Sequence, residues 1–136
     1  MPTVIALHGN RPGAGKSTVA GILKDLYGYK SEKVATPLKR MMGSLGCTYY
    51  DIEGHLKETP NDKLCGLTPR RFMQSLGREL PDSLGRPELW GEMWLQRARE
   101  NGYSNIVVDD HRFPYEMKYF MKYGTTIIMN ATHASR

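Results

Sequence analysis

The sequence predicts an α/β fold: a parallel sheet of four strands with helices on both faces. Three observations lead there. Short runs at residues 3–8, 105–109 and 125–129 are apolar and β-branched, as buried strands are. Stretches of helical periodicity lie between them, so strand and helix alternate along the chain. Alternation of that kind makes the strands parallel, because each crossover returns the chain to the same end of the sheet.

Each element has its own warrant. Thr3-Val4-Ile5-Ala6-Leu7-His8 runs straight into Gly9 and reads as a buried strand entering a tight loop. From Gly15 to about Tyr27, the residues Val19, Ala20, Ile22, Leu23 and Leu26 recur at helical spacing, and Gly28 supplies the stop. Residues 29–35 predict a short strand. Thr36-Pro37 reads as an N-cap followed by an N1 proline, opening a helix through Leu38, Met41, Met42 and Leu45. Between Gly46 and Leu67 the pattern dissolves into a long loop, which in a compact domain is usually functional. Thr68-Pro69 repeats the capping device and starts a helix toward Leu80, and Pro87-Glu88 starts another reaching about Asn101. A helix over residues 114–123 precedes the final strand.

Composition bounds the rest. The 136 residues make one domain, with 40% hydrophobic and 24% charged residues, which excludes disorder, collagen and a disulfide scaffold. No apolar run approaches a membrane span, and no basic region precedes the first apolar stretch as in a signal peptide. Cys47 and Cys65 are then expected as reduced thiols in a cytoplasmic protein. Nineteen Lys and Arg against fourteen Asp and Glu give a net charge of +5, which favours anionic partners such as phosphates and nucleotides.

The strongest motif follows the first strand: Gly9-Asn10-Arg11-Pro12-Gly13-Ala14-Gly15-Lys16-Ser17-Thr18. It matches the phosphate-binding pattern G-x-x-x-x-G-K-[ST], with Asn10 standing at the first glycine position. Asn is among the few residues that visit left-handed backbone readily. Gly13 and Gly15 let the backbone turn so that successive N–H groups point at phosphate oxygens, and the N-terminus of the following helix adds its positive end. Lys16 can reach the β and γ phosphates, and the Ser17 hydroxyl can ligate Mg²⁺.

Ile106-Val107-Val108-Asp109-Asp110 is an apolar strand ending in two carboxylates, placed where such a sheet binds ligands. One of the pair is expected to orient Mg²⁺, and the spacing leaves open which. Arg112 could bind phosphate or offset charge during transfer. In the helix from Pro69, Phe72, Leu76 and Leu80 should face the core, whereas Arg70, Gln74 and Arg78 form a second stripe suited to a phosphate and a base edge. Trp94 is expected in the core; Trp90 is open to either core or nucleobase stacking.

Several segments together resemble the phage-type deoxynucleoside monophosphate kinases, a branch of the P-loop nucleotide kinases. They are residues 5–9 with Gly15-Lys16-Ser17-Thr18, Ala35-Thr36-Pro37-Leu38-Lys39, Thr68-Pro69-Arg70, Gln74-Ser75-Leu76-Gly77, Pro87-Glu88-Leu89-Trp90, and residues 107–116. The resemblance implies a three-layer P-loop kinase fold and transfer of the γ-phosphoryl group of ATP to a deoxynucleoside 5′-monophosphate with Mg²⁺. It implies catalytic roles for Lys16, Asp110 and Arg112, and metal contacts through Ser17 and Asp110. Residues 10 and 13–18 would hold ATP; Arg70, Gln74, Arg78 and Trp90 would hold the acceptor, within a segment spanning residues 47–101. Where similar kinases carry an arginine after the Gln-x-Leu-Gly glycine, this chain has Asp82, and Arg78 or Arg86 would substitute. Such kinases continue past Thr132-His133-Ala134-Ser135-Arg136 into a lid, a last strand and a helix, which are expected to be missing here. An open sheet edge would want cover, so a homodimer is expected.

Two other functions compete with this one. The first is a P-loop kinase for another small acceptor, a ribonucleoside monophosphate or a coenzyme precursor. The second is a non-catalytic nucleotide- or nucleic-acid-binding module, suggested by the basic charge. The chain lacks the interleaved aromatic and basic strand pattern of stacking platforms, which sets nucleic acid well behind.

Overall fold

A computed structural model of the chain describes residues 1–9, 15–110 and 115–130. In chain order the elements are β1 (Thr3–His8), α1 (Lys16–Tyr27), β2 (Lys30–Ser31), α2 (Thr36–Ser44), α3 (Tyr49–Ile52), α4 (Pro69–Ser83), α5 (Leu89–Asn101), β3 (Asn105–Val108), α6 (Met117–Tyr123) and β4 (Thr125–Asn130). The four strands form one sheet in the order β2-β3-β1-β4, and every pairing is parallel. The α/β class expected from the alternation of elements is the class observed.

The chain divides into two compact units, Met1–Val34 with Gly91–Arg136, and Ala35–Trp90. The first holds the sheet. Period-2 alternation sends Ile5, Leu7 and Val107 to one face, where Val19, Ala20 and Leu23 of α1 cover them. Val4, Ala6, Ile106 and Val108 point the other way and are equally buried. On that side α6 packs along β1 and β4, and Trp94 of α5 meets Phe120 of α6. Both faces of the two central strands are therefore dry, which is why those strands read as continuous apolar runs. Burying each such Val, Leu or Ile contributes roughly 1.5–3 kcal/mol.

Helix boundaries follow the sequence signals at the end of α1 and the start of α4, with an exception at α2. Gly28 caps α1 with φ 71°, its N–H donating to the Leu23 carbonyl. Thr68 caps α4, its Oγ1 accepting from Arg71 N at 3.1 Å. The exception is α2: the N-cap is Ala35, and Thr36, expected as the cap, is the first helical residue. Proline is tolerated anywhere in the first turn, so Thr-Pro does not by itself fix which residue caps. The helix expected over residues 114–123 begins at Met117, with position 114 outside the described residues.

The second unit corrects the reading of residues 46–67 as loop. Thr48 opens α3 with a capping box: its hydroxyl accepts from Asp51 N, and the Asp51 carboxylate accepts from Thr48 N at 2.7 Å. A 3₁₀ turn follows at Asp62–Leu64. Both pieces are too short for periodicity to register, and their caps hold them. Met42, Cys47 and Leu64 form the buried centre, with Ile52, Phe72, Met73 and Leu76 packed around it. Cys47 and Cys65 are free thiols, as expected. Burial and then the neighbouring Asp51 carboxylate raise the Cys47 pKa, with Lys63 opposing. Among the described residues, no helix is long and apolar enough to cross a membrane.

Candidate active site

At the carboxyl end of β1 the chain passes Gly9 and is next described at Gly15. Asn10, Gly13 and Ala14, expected in the phosphate cradle, lie outside the described residues. Gly15 is left-handed, φ 95° and ψ 6°, and stands as the N-cap of α1 with no side-chain cap. A side chain there would be strained. The first turn of α1 carries no acidic residue. Its amide end is therefore positive and its N-cap residue offers no side chain to it, the condition under which helix N-termini take anions. Lys16 follows at once and is half-buried, while Ser17 and Thr18 are exposed.

β3 lies beside β1 in parallel register, with Ala6 opposite Val108. Asp109 and Asp110 consequently leave the sheet at the same end as the loop after β1. Both are half-buried and both are held. Lys33 Nζ donates to Asp109 Oδ1 at 2.7 Å, and Val34 N donates to Asp110 Oδ1 at 2.9 Å. Arg112 lies outside the described residues.

The sequence reading did not single out the segment that grips these carboxylates. Residues 32–34 follow β2 and are themselves fastened from α5. Trp94 Nε1 donates to the Glu32 carbonyl at 2.8 Å, and Arg97 donates from Nε to Glu32 Oε2 at 3.1 Å and from Nη2 to the Lys33 carbonyl at 2.7 Å. Asn101 Nδ2 adds a bond to Glu32 Oε1 at 3.3 Å. These partners are more than 60 residues apart, and no local spacing rule connects them.

In the second unit, Arg70, Gln74 and Arg78 sit on α4 at the four-residue steps expected of one face. Arg70 Nε lies 3.4 Å from Glu58 Oε1, an exposed pair that contributes little rigidity. Trp90, left open between core and ligand, is half-buried with its indole N–H donating to the Gly77 carbonyl at 3.0 Å. The apolar stripe behaves in two ways. Phe72 and Leu76 pack on the buried centre, and together with Leu80 they also line a cavity of about 400 Å³. Arg71, Ser75, Glu79 and Ser83 give that cavity its polar groups. The first three sit one position along from Arg70, Gln74 and Arg78, at the same four-residue steps.

Such a set can bind an anion at the α1 terminus, and the two β3 carboxylates can supply hard oxygen ligands nearby. Mg²⁺ needs little more from a protein, since it is usually held by one or two carboxylates with the remaining positions filled by water and substrate phosphates.

No family model matches the chain. It is similar to a protein of Acanthamoeba polyphaga mimivirus described as "Putative deoxynucleotide monophosphate kinase", with 31% identity over 139 residues. That alignment covers 92% of this chain and 72% of the relative. With a glycine-capped Lys-Ser-Thr helix after the first strand, a carboxylate pair on its parallel neighbour and this likeness along nearly its whole length, the chain belongs to the nucleotide kinase family.

Proposed function

We propose that the protein transfers the γ-phosphoryl group of Mg-ATP to a deoxynucleoside 5′-monophosphate, as a member of the phage-type branch that its motifs resemble. One observation carries the reading. Gly15-Lys16-Ser17-Thr18 opens α1 directly after β1, and Asp109-Asp110 ends the adjacent parallel strand. The name of the mimivirus relative supports the acceptor class.

In this reading the amides around Gly15 and the Lys16 ammonium bind the ATP phosphates. Ser17 and Asp110 are the residues that would hold Mg²⁺, which supplies charge neutralisation when bound. The acceptor nucleophile is a phosphate oxygen that is already anionic, so no strong general base is needed. The protein's task is to align two polyphosphates and screen their repulsion, to which Arg112 would contribute. Arg70, Gln74, Arg78 and Trp90 are assigned to the acceptor, with Trp90 acting through its ring face because its N–H is already engaged.

The test is ADP release from Mg-ATP against a panel of deoxy- and ribonucleoside monophosphates with a no-acceptor blank. Turnover with particular deoxynucleotides establishes the proposal. Turnover only with ribonucleotides or another acceptor replaces the substrate while keeping the kinase, and a flat panel refutes both. A homodimer is proposed on the exposure of Ile127, Ile128 and Met129 along β4, an edge of the sheet. Light scattering at the mass of a single chain would remove it.

A further inference from the structure

We propose that Arg97 and Lys33 are positioning residues for the carboxylates of Asp109 and Asp110, acting through the backbone strap of residues 32–34. The inference rests on the kinase reading above for the role of those carboxylates, and on the side-chain network alone for how they are held.

Beyond Val108 the β3 ladder ends, so Asp109 and Asp110 are not fixed by sheet pairing. The strap reaches both of them, with an ammonium on one carboxylate and a backbone amide on the other. The strap has itself just left β2. Its tie to the sheet is the Glu32 N–H donating to the Val107 carbonyl at 3.3 Å. Such a segment would wander without help, and α5 provides it. The Arg97 guanidinium engages the Glu32 side chain with one nitrogen and the Lys33 carbonyl with another, locking side chain and main chain together as only a planar fork can.

A second feature points the same way. The Arg97 Nη1 is buried with no hydrogen-bond partner among the described residues. A buried donor left unsatisfied costs free energy, and a purely space-filling role would be met better by an apolar side chain of similar size. Retaining a charged fork at that cost fits a requirement for placement, because the Lys33 carbonyl it grips lies in the residue whose ammonium contacts Asp109. The same peptide unit carries the Val34 N–H that contacts Asp110. Rotation of that one peptide would disturb both carboxylates together.

The test compares wild type with Arg97→Lys, which keeps the charge but cannot make both bonds. The readouts are kcat, the acceptor KM, the Mg²⁺ concentration at half-maximal rate, and calorimetric binding of Mg²⁺ to the ATP-loaded protein without acceptor. Residues that orient metal ligands typically shift affinity or activity by about 10–100-fold. Arg97→Lys should therefore raise the Mg²⁺ requirement about tenfold and lower kcat, with acceptor KM within about twofold of wild type. A purely structural role would lower the melting temperature and leave the Mg²⁺ requirement of the folded fraction unchanged; that result overturns the proposal. Should Arg97→Lys not fold, Lys33→Met removes the ammonium at a half-exposed position, and an unaltered Mg²⁺ requirement there refutes the proposal equally. If wild type turns over no acceptor, the kinase reading fails, and the calorimetric comparison still decides whether the strap governs Mg²⁺ binding.

Discussion

Trp94 on α5 meets Phe120 on α6 edge to face, with ring centroids 4.7 Å apart and both side chains fully buried. The pair joins the two helices that lie on one side of the sheet. Trp94 also donates its indole N–H to the Glu32 carbonyl, so one residue serves both the apolar core and the strap. Trp94→Ala should destabilise the fold by about 3–5 kcal/mol, through lost burial and the cavity left behind. Trp94→Phe keeps a ring but leaves the carbonyl without this donor, and should cost about 1–3 kcal/mol. Urea denaturation of the three proteins orders them; a Trp94→Phe variant as unstable as Trp94→Ala would show that the hydrogen bond, not the packing, dominates.

Gly91 makes the close crossing of those helices feasible. A Cβ built there would lie 2.5 Å from Cδ2 and 2.7 Å from Cε2 of Tyr119, whose ring is itself buried. Gly91→Ala should therefore destabilise by about 1–3 kcal/mol despite alanine's better helix propensity, since overpacking outweighs the roughly 1 kcal/mol that propensity returns. Pairing it with Tyr119→Leu, which withdraws the ring, should recover part of the loss. Equal melting temperatures for wild type and Gly91→Ala would mean the ring moves aside freely.

Where a physical signal is local, the sequence exposed it. Thr3–His8 and Asn105–Val108 are buried on both faces and so are continuous apolar runs, and Gly28 ends α1 because its φ suits few other residues. Thr68 announced α4 through a cap that acts over three residues. The part that could not be read was non-local or too short. The capping box of Thr48 and Asp51 closes a single turn, beneath the length at which an amphipathic stripe can form. Among the candidate site residues, the cradle lysine and the β3 carboxylates lie beside recognisable elements. Lys33 and Arg97 look like ordinary surface cations in sequence, and only the parallel β2-β3 pairing and the packing of α5 give them partners.

Lys16 is the residue on which the kinase reading depends most directly. Its ammonium is assigned to screen charge that grows between donor and acceptor phosphates, whereas its role in packing is small, since it lies half-buried in the first turn of α1. Lys16→Ala should lower turnover by at least about 100-fold, the scale of removing one preorganised electrostatic contact, with an unchanged circular dichroism melt. Near wild-type ADP release from Lys16→Ala would sink the assignment of this motif to ATP.

Alkaline stability supplies a test that involves no substrate. Cys47 has its pKa raised above its ordinary 9.0, chiefly by burial, with Asp51 adding to the shift and Lys63 opposing it. Burial likewise raises Tyr123 above 10.0, and its hydroxyl donates to the Tyr103 carbonyl. In both cases the native state keeps a proton that the unfolded chain releases first. The native form then binds more protons, so unfolding free energy falls as pH rises. Stability from these groups is fully present below about pH 9 and is lost above it, Cys47 acting first and Tyr123 from about pH 10. Other groups also titrate in this range, so the informative quantity is the slope of stability against pH rather than its value. Cys47→Ala should flatten that slope just above pH 9, and Tyr123→Phe should flatten it only above about pH 10, even though each variant is less stable at neutral pH. Slopes identical to wild type in both would mean that neither proton is held more tightly in the folded protein.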